Sequence, residues 1–484
     1  MRSRGAQVVV VQGLGFVGAA VAAAVSHASD GAGQPLYYVI GVDLPTPQGE
    51  WKVSQINDGK TPIVSADASL ETLLHEGVHV RGNLSATVDV EVYGLADVIV
   101  VDIPLDVKDR FAFAPEAIAI DVEAFTQAIR VIGQRMRDDA LVLVETTVPV
   151  GTCEGIILPI LEAERKQRGL AQPVCLAHAP ERVMPGPNYV RSIRQHRRTF
   201  SGVDAVAAQR AAAFLASVID TKTYPLYQLE NPSSSELAKL MENSYRAVNI
   251  AWIHEWTLLA EHMGIDLFQV IDSIRVRVGT HDNIKSPGFG VGGYCLTKDS
   301  LLAQWALHRA SNGSMALGMT LDALRINADM PIHTFALLAE LLQQRLAERT
   351  ILVCGVSYLA EVGDTRNSPT ELLYDTLVRH GARVIVHDPY VRQWEQRPQV
   401  EVAQDLAACL RGDVHGIVWA VPHHGYRAVH PAAMVDALTQ PPAIVDAQNI
   451  LSDETAGFLV EAGCLVAGVG KGHWRRRGYH TRHA

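Results

Sequence analysis

The chain opens on an apolar run, Gln7–Gln12, whose four consecutive valines leave no polar face. So short a run reads as a strand buried on both sides, as in a parallel sheet. Gly13-Leu14-Gly15-Phe16-Val17-Gly18 follows, and the small residues after it predict a helix through Ser26. Tyr37–Asp43, Ala96–Val101 and Leu141–Val144 repeat the strand pattern, and Val122–Met136 has helical spacing. This alternation predicts a doubly wound α/β sheet. At Ser233 the pattern changes. Helical spacing without Gly or Pro runs to Met263, opened by serines able to cap it, and Ile265–Val278 continues helical. After Pro331 the alternation returns, with strands expected at Thr350–Val356, Ala382–His387, Gly416–Ala420 and Ala443–Asp446. The expected fold is two doubly wound α/β domains, residues 1–222 and 329–484, joined by a long helical central domain, residues 223–328. The basic, His-rich stretch Gly472–Ala484 is expected to fray.

Composition narrows the function. A chain of 484 residues is too long for one core. A net charge of -10 argues against nucleic acid as the main partner. The cysteines (Cys153, Cys175, Cys295, Cys354, Cys409 and Cys464) form no CxxC pair, so neither a zinc site nor a disulfide framework is indicated. That suits a reducing cytoplasm. Met1–Gly5 carries two arginines ahead of an apolar run, as a secretory signal would. Gln12 and the glycines after it interrupt the run, and a second strand follows, which disfavours that reading. No segment is long and apolar enough to span a membrane. No metal is expected: His254, Glu255 and His262 lack the HExxH spacing, and His423-His424 reads as a loop pair.

Gly13, Gly15 and Gly18 sit between a strand and a helix, as a dinucleotide fingerprint requires. The first allows a tight turn, the second lets backbone approach a pyrophosphate, and the third lets helix and strand pack closely. Phe16 and Val17 open the helix, whose N-terminal N–H groups favour phosphate. Asp43 ends the next strand, where a carboxylate accepts from a ribose diol and repels a 2′-phosphate. The cofactor expected is NAD, in a Rossmann-like domain. The corresponding turn of the second α/β domain, Gly355-Val356-Ser357-Tyr358, has one glycine, so that domain is expected to bind substrate.

Pro287-Gly288-Phe289-Gly290-Val291-Gly292-Gly293-Tyr294-Cys295-Leu296-Thr297-Lys298-Asp299 is the most informative segment. Its glycines free backbone N–H groups to face an anion, and Cys295 sits where a helix is expected to begin, at Thr297. Asp299 falls one helical turn after the thiol. The segment resembles the active-site cysteine motif of the UDP-glucose/GDP-mannose dehydrogenase family. Further motifs resemble that family in the same order: Glu145-Thr146-Thr147-Val148-Pro149-Val150-Gly151, Ala179-Pro180-Glu181-Arg182-Val183-Met184-Pro185-Gly186, Glu236–Asn243 with Asn249 and Glu255, Asp364-Thr365-Arg366-Asn367-Ser368-Pro369, and His387-Asp388-Pro389-Tyr390.

The resemblance implies NAD-dependent four-electron oxidation of the C6 CH2OH of a nucleotide sugar, UDP- or GDP-linked, to the uronate. Cys295 would capture the aldehyde as a thiohemiacetal and then carry the thioester. Lys239 and Asn243, one turn apart, would hold the alkoxide. Asp299 and Thr147 would position the hydrolytic water, with Glu181 as base. Pro104, Thr147 and Lys298 would touch the cofactor. Glu181, Arg182, Val183, Lys239, Asn243, Gly290, Gly292, Gly293, Tyr358 and Arg366 would hold the substrate. A homodimer through the central helix is also implied.

The chain departs from the family at several points. Tyr294 precedes the cysteine where His or a small polar residue is usual. Leu359, Gln448 and His281 stand where a lysine and two arginines are expected, with Arg275 and Arg277 near the last. Asp102-Ile103-Pro104 replaces a Thr-Pro turn. Each lost charge-assisted hydrogen bond costs about 1.5–3 kcal/mol if nothing replaces it. An altered nucleotide sugar, such as an N-acetylhexosamine derivative or a sugar of a specialised pathway, is therefore expected; within the resemblance, Ala179–Gly186 leans toward relatives acting on UDP-N-acetylhexosamines, and Lys298-Asp299 leans toward those acting on UDP-glucose or GDP-mannose. Two alternatives compete. A two-electron β-hydroxyacid-type dehydrogenase would yield one NADH per substrate and make no use of Cys295. A nucleotide-sugar-binding protein that has lost turnover would yield none.

Overall fold

The computed structural model describes residues 6–63, 67–170, 172–183, 186 and 188–481. Met1–Gly5, Met184 and Pro185 of the motif above, and the end of the basic stretch (482–484) lie outside the described residues. The chain divides into two compact units, Met1–Glu242 with Leu301–Ala316, and Asn243–Ser300 with Leu317–Ala484.

The first unit is built on an eight-stranded sheet. Its strands are β1 (Gln7–Gln12), β2 (Tyr37–Val42), β3 (Leu84–Thr87), β4 (Val98–Val101), β5 (Leu141–Val144), β6 (Cys175–His178), β7 (Thr199–Gly202) and β8 (Tyr227–Gln228). They lie in the order β3-β2-β1-β4-β5-β6-β7-β8, and β6 and β7 are antiparallel. The valines of β1 are buried, as a strand covered on both faces must be. Helix α1 (Phe16–Ser26) is mostly alanine and valine, which lets it press close to the sheet. The strand order reverses between β1 and β4, which opens a ligand crevice at the carboxyl ends of the strands.

The central helical stretch begins with α2 (Pro232–His262). Gly264, at φ +67°, ends that run. Asp266 then caps a separate helix, α3 (Leu267–Arg275), by accepting from the N–H groups of Phe268 and Gln269. Helix α4 (Asp299–Ala310) starts two residues later than expected, and α5 (Gly318–Leu341) follows. The division between the units falls within α2, after Glu242, and within α4, after Ser300.

The second unit holds a six-stranded sheet, all parallel. Its strands are β9 (Thr350–Cys354), β10 (Arg383–His387), β11 (Val402–Ala403), β12 (Gly416–Trp419), β13 (Ala443–Asp446) and β14 (Leu465–Gly468). Their order, β11-β10-β9-β12-β13-β14, again reverses beside the first strand of the unit. Pro331, where alternation was expected to resume, lies inside α5 and is buried. A proline removes one helical hydrogen bond, and the apolar residues on both sides carry the helix through it.

The described part of the basic stretch, Gly472–Thr481, does not fray. Gly472–Arg476 is helical, and Trp474 is fully buried with its indole N–H donating to Asp453 at 2.8 Å. Val466 of β14 donates to the carbonyl of Tyr479 at 2.9 Å. One large aromatic side chain outweighs the local charge that made the segment look solvated.

Candidate active site

The first unit carries the cofactor loop. Gly13 has φ +91°, and a Cβ there would lie 2.6 Å from the carbonyl oxygen of Asp102. A Cβ on Gly18 would lie 1.8 Å from the Gly13 carbonyl. A Cβ on Gly15 would meet nothing within 4 Å, so that glycine keeps space open at the start of α1 and not packing within the chain. No side chain caps this helix, whose first turn includes Phe16 and Val17. Asp43 follows β2. Its Oδ2 accepts from Leu14 N–H at 3.0 Å and from Lys52 at 3.1 Å, and Oδ1 accepts from Leu44 N–H at 2.8 Å. An open cradle at an uncapped helix N-terminus, with a carboxylate one strand away, fits a dinucleotide. Pro104 is exposed beyond β4, and Thr147 is half-buried beyond β5.

Beside this loop, the carboxyl ends of β4, β5 and β6 lead into a buried cluster. Glu181 does not pair with its neighbour Arg182. Its Oε2 pairs with Arg198, which also reaches Glu145 Oε1 at 3.3 Å and donates to the Ala179 carbonyl at 3.0 Å. Arg182 pairs instead with Glu242 at 2.9 Å. Burial pushes the Glu145 carboxyl up to about 7, with Arg198 opposing and Glu181 adding to the rise. Asp102 is raised well above the carboxylate range, first by burial and then by Glu145 and Glu181. Lys239 is buried and donates to the Glu181 carbonyl at 2.7 Å. Glu236, one turn earlier, accepts from the N–H groups of Gly151 at 2.6 Å and Cys153 at 2.8 Å, which ties α2 to the loop after β5. Val183 is half-buried beside Arg182.

The second unit carries the thiol. Cys295 is exposed, and its carbonyl accepts from Asp299 N–H at 2.9 Å, an i to i−4 bond that places Asp299 one turn on. Asp299 is fully buried. Asn243 donates to its Oδ2 at 2.6 Å, and Ser244 meets Ser300 at 2.9 Å alongside. Lys298 is buried, 3.9 Å from Asp299 and 4.5 Å from the centre of the Tyr294 ring. That ring also has Arg366 5.6 Å from its centre. Tyr294 thus serves two cations as a stacking surface.

Gly293, in the segment before the thiol, is engaged within the second unit. Gly293 N–H donates to the Arg366 carbonyl at 3.0 Å, so it is not presented to an anion. A Cβ on Gly292 would lie 2.6 Å from Tyr358 Cβ, one on Gly293 would lie 2.7 Å from the Tyr358 ring, and one on Gly290 would lie 2.7 Å from Pro369. Asn367 donates to the Gly293 carbonyl at 3.0 Å. The loop lies flat on Tyr358, Asn367 and Pro369, and only glycine fits there. Arg366 forks onto its neighbour Asp364, at 2.5 Å for the shortest contact.

Arg275, near His281 in the chain, is engaged within the second unit. It is committed to the Ile284 carbonyl at 2.6 Å and to Ser286 at 2.8 Å. Leu359 is exposed. Beside Gln448, however, Arg427 donates to the Asn449 carbonyl at 2.8 Å, a cation no motif had pointed to. His423 lies in the loop just before a short helix. It is fully buried between Asp388 and Ser357, at 3.3 Å from each. Among the described residues, no group of three or more His, Cys, Asp or Glu is placed to hold a metal.

The UDP-glucose/GDP-mannose dehydrogenase family matches through its NAD binding domain over residues 7–217, its central domain over 233–328 and its UDP binding domain over 352–453. The chain belongs to that family. A UDP-N-acetyl-D-mannosamine dehydrogenase of Pyrococcus horikoshii is 30% identical over 472 residues, 96% of this chain and 99% of the relative. The crystal structure of an NDP-N-acetyl-D-galactosaminuronic acid dehydrogenase from Methanosarcina mazei superposes with TM-score 0.80 at 27% identity, covering 100% of this chain and 98% of that one. The structure of the Pyrococcus horikoshii UDP-D-ManNAc dehydrogenase gives TM-score 0.81 at 28% identity, covering 96% and 100%.

Proposed function

We propose that this protein is an NAD-dependent nucleotide-sugar 6-dehydrogenase acting on a UDP-N-acetylhexosamine. The observation that carries the reading is the turn of α2 holding Lys239 and Asn243. Both are buried, and Asn243 bonds to the aspartate four residues after Cys295. The UDP binding domain match and the N-acetylhexosamine substrates named for the relatives support this substrate class.

When bound, NAD supplies the hydride acceptor for both oxidation steps. Lys239 and Asn243 hold the C6 oxygen as its proton leaves. Cys295 loses its proton, and its sulfur bonds to C6 of the aldehyde, which keeps the reactive carbonyl on the protein. After the second oxidation the thioester carbon is attacked by water, the C–S bond breaks, and the thiol recovers a proton. Overall, one CH2OH and one water become a carboxylate with two reduced cofactors and three protons. The ion pair of Glu181 with Arg198 and the hydrogen bond from Lys239 to the Glu181 carbonyl support a role for Glu181 in orienting Lys239. Lys298 and Arg366 frame the thiol loop through Tyr294.

The apolar stripe Leu237, Met241, Tyr245, Trp252, Trp256 and Leu259 is exposed along α2. Helical spacing puts these side chains on one face, and we assign it to a homodimer. Sedimentation of the purified protein tests the assignment, and a monomer at micromolar concentration would count against it.

The enzymatic reading is tested by mixing protein with NAD and a panel of UDP- and GDP-sugars. NADH is counted per sugar consumed, for wild type and Cys295→Ser. Two NADH with a UDP-N-acetylhexosamine, and turnover lost in the variant, are expected. One NADH unaffected by the substitution would overturn the covalent route.

A further inference from the structure

β4 and β5 pair in register, Val101 opposite Val144, so Asp102 and Glu145 leave adjacent strands at one level. Residues at one level in paired strands share a face. Both carboxylate oxygens of Asp102 and the Oε2 of Glu145 are shielded from solvent, with no hydrogen-bond partner among the described residues. Glu145 is 3% exposed. The charged groups around the pair are Glu181 and Arg198, with His178 and Lys239 beyond them on the neighbouring elements. Three carboxylates thus face one guanidinium. Two neighbouring buried carboxyls in excess of their counter-charge cannot both ionise cheaply. One shared proton satisfies an oxygen on each and removes a charge.

The pair also sits in the cofactor crevice. A Cβ on Gly13 would touch the carbonyl of Asp102 at 2.6 Å. With Asp43 at one end of the crevice and the pyrophosphate at α1, the remaining half of a dinucleotide extends past the strand-order reversal, toward β4 and β5. The oxidised nicotinamide ring is a cation and the reduced ring is neutral. A cation there favours the fully ionised pair.

We propose that Asp102 and Glu145 share one proton in the cofactor-free protein, and that NAD+ binding releases it whereas NADH binding does not. The O–H bond of the shared carboxyl breaks, its proton passes to solvent buffer, and no other bond changes. By linkage, the preference for the oxidised cofactor rises with pH by up to about tenfold per unit while the pair titrates. The pair thereby distinguishes incoming from outgoing cofactor. The proposal rests on the family's dinucleotide site and not on which sugar is oxidised.

Isothermal titration of NAD+ and of NADH in two buffers of different ionisation enthalpy tests it. Wild type is expected to release protons with NAD+ and none with NADH, and Asp102→Asn is expected to release none with either. Equal release for both nucleotides, or release by NAD+ that persists in Asp102→Asn, would overturn it. The infrared band of the protonated carboxyl in the wild type reads the same proton without any variant. Its loss on adding NAD+ supports the proposal, and a band absent throughout or unchanged by NAD+ rejects it. Failure to oxidise any sugar would leave both readouts intact.

Discussion

Asn243 donates to Oδ2 of Asp299 at 2.6 Å, the side-chain hydrogen bond of a carboxylate whose Oδ1 has none and lies 3.9 Å from Lys298. Asn243→Ala therefore leaves a buried carboxylate with its Lys298 ion pair but without that hydrogen bond. The expected cost is about 1–3 kcal/mol of stability, read by urea unfolding. A loss of about a hundredfold or more in kcat should accompany it if the amide also holds the reacting oxygen. Asn243→Asp sets two carboxylates at the same contact, so one must take up a proton. Its residual activity should rise as the pH is lowered.

Arg198 neutralises part of a cluster holding Asp102, Glu145 and Glu181. Arg198→Met leaves three buried carboxylates with no guanidinium. In the variant, the folded state retains protons that the unfolded chain has lost, so its stability must fall as pH rises. The gap in urea midpoint between wild type and variant should be wide at pH ~8 and narrower at pH ~5. A gap independent of pH would show that the guanidinium acts by packing alone.

Burial pushes the His254 imidazole down to about 4 from 6.5, with His333 lowering it further and Glu261 opposing. The unfolded chain binds this proton at the higher pH, so the stability tied to a neutral His254 is present above 6.5 and lost as pH falls toward 4. His254→Phe should flatten that acid limb in urea unfolding measured across the window. The ring contact with His333, at 5.7 Å, gives the phenyl group a place to pack.

Gly293→Ala would force a Cβ to 2.7 Å from the Tyr358 ring at φ +81°, whereas a Cβ on Gly288 meets nothing closer than 3.5 Å. The first change should lower kcat/KM by about tenfold or more through misplacement of the thiol, and the second should be near neutral. Tyr358→Leu in the Gly293→Ala background should recover part of the loss. Steady-state kinetics of the three variants decides.

Arg427 lies beside Gln448 and Asn449 at the carboxyl end of the second sheet. If it contacts the nucleotide diphosphate, Arg427→Ala should raise the KM for the sugar nucleotide by about tenfold and leave that for NAD unchanged. A rise in neither would assign the guanidinium to bracing the loop.

The alternating strands and helices, the glycine loop and the thiol motif were legible because each is written in contiguous residues with a fixed period or spacing. Arg198 was not, since its partners lie 53 and 17 residues away and no period links them. Asp102 registered as a departure from the family and not as one member of a buried pair, because only the register of β4 with β5 sets it level with Glu145. The basic stretch misled for the opposite reason. Its charges are local, while the pocket that takes Trp474 is assembled from distant segments. Pro331 likewise looked like a boundary, but burial on both sides holds the helix together around it.

The flat seating of the thiol loop on Tyr358 and Pro369 also sets how this protein can be reshaped. Positions 290, 292 and 293 have no room for even a methyl group, so a library randomised there would return mostly misfolded clones. Leu359 is 43% exposed and meets no such wall. New sugar preferences are therefore expected from changes at exposed positions such as Leu359, while the segment bearing the nucleophile stays fixed.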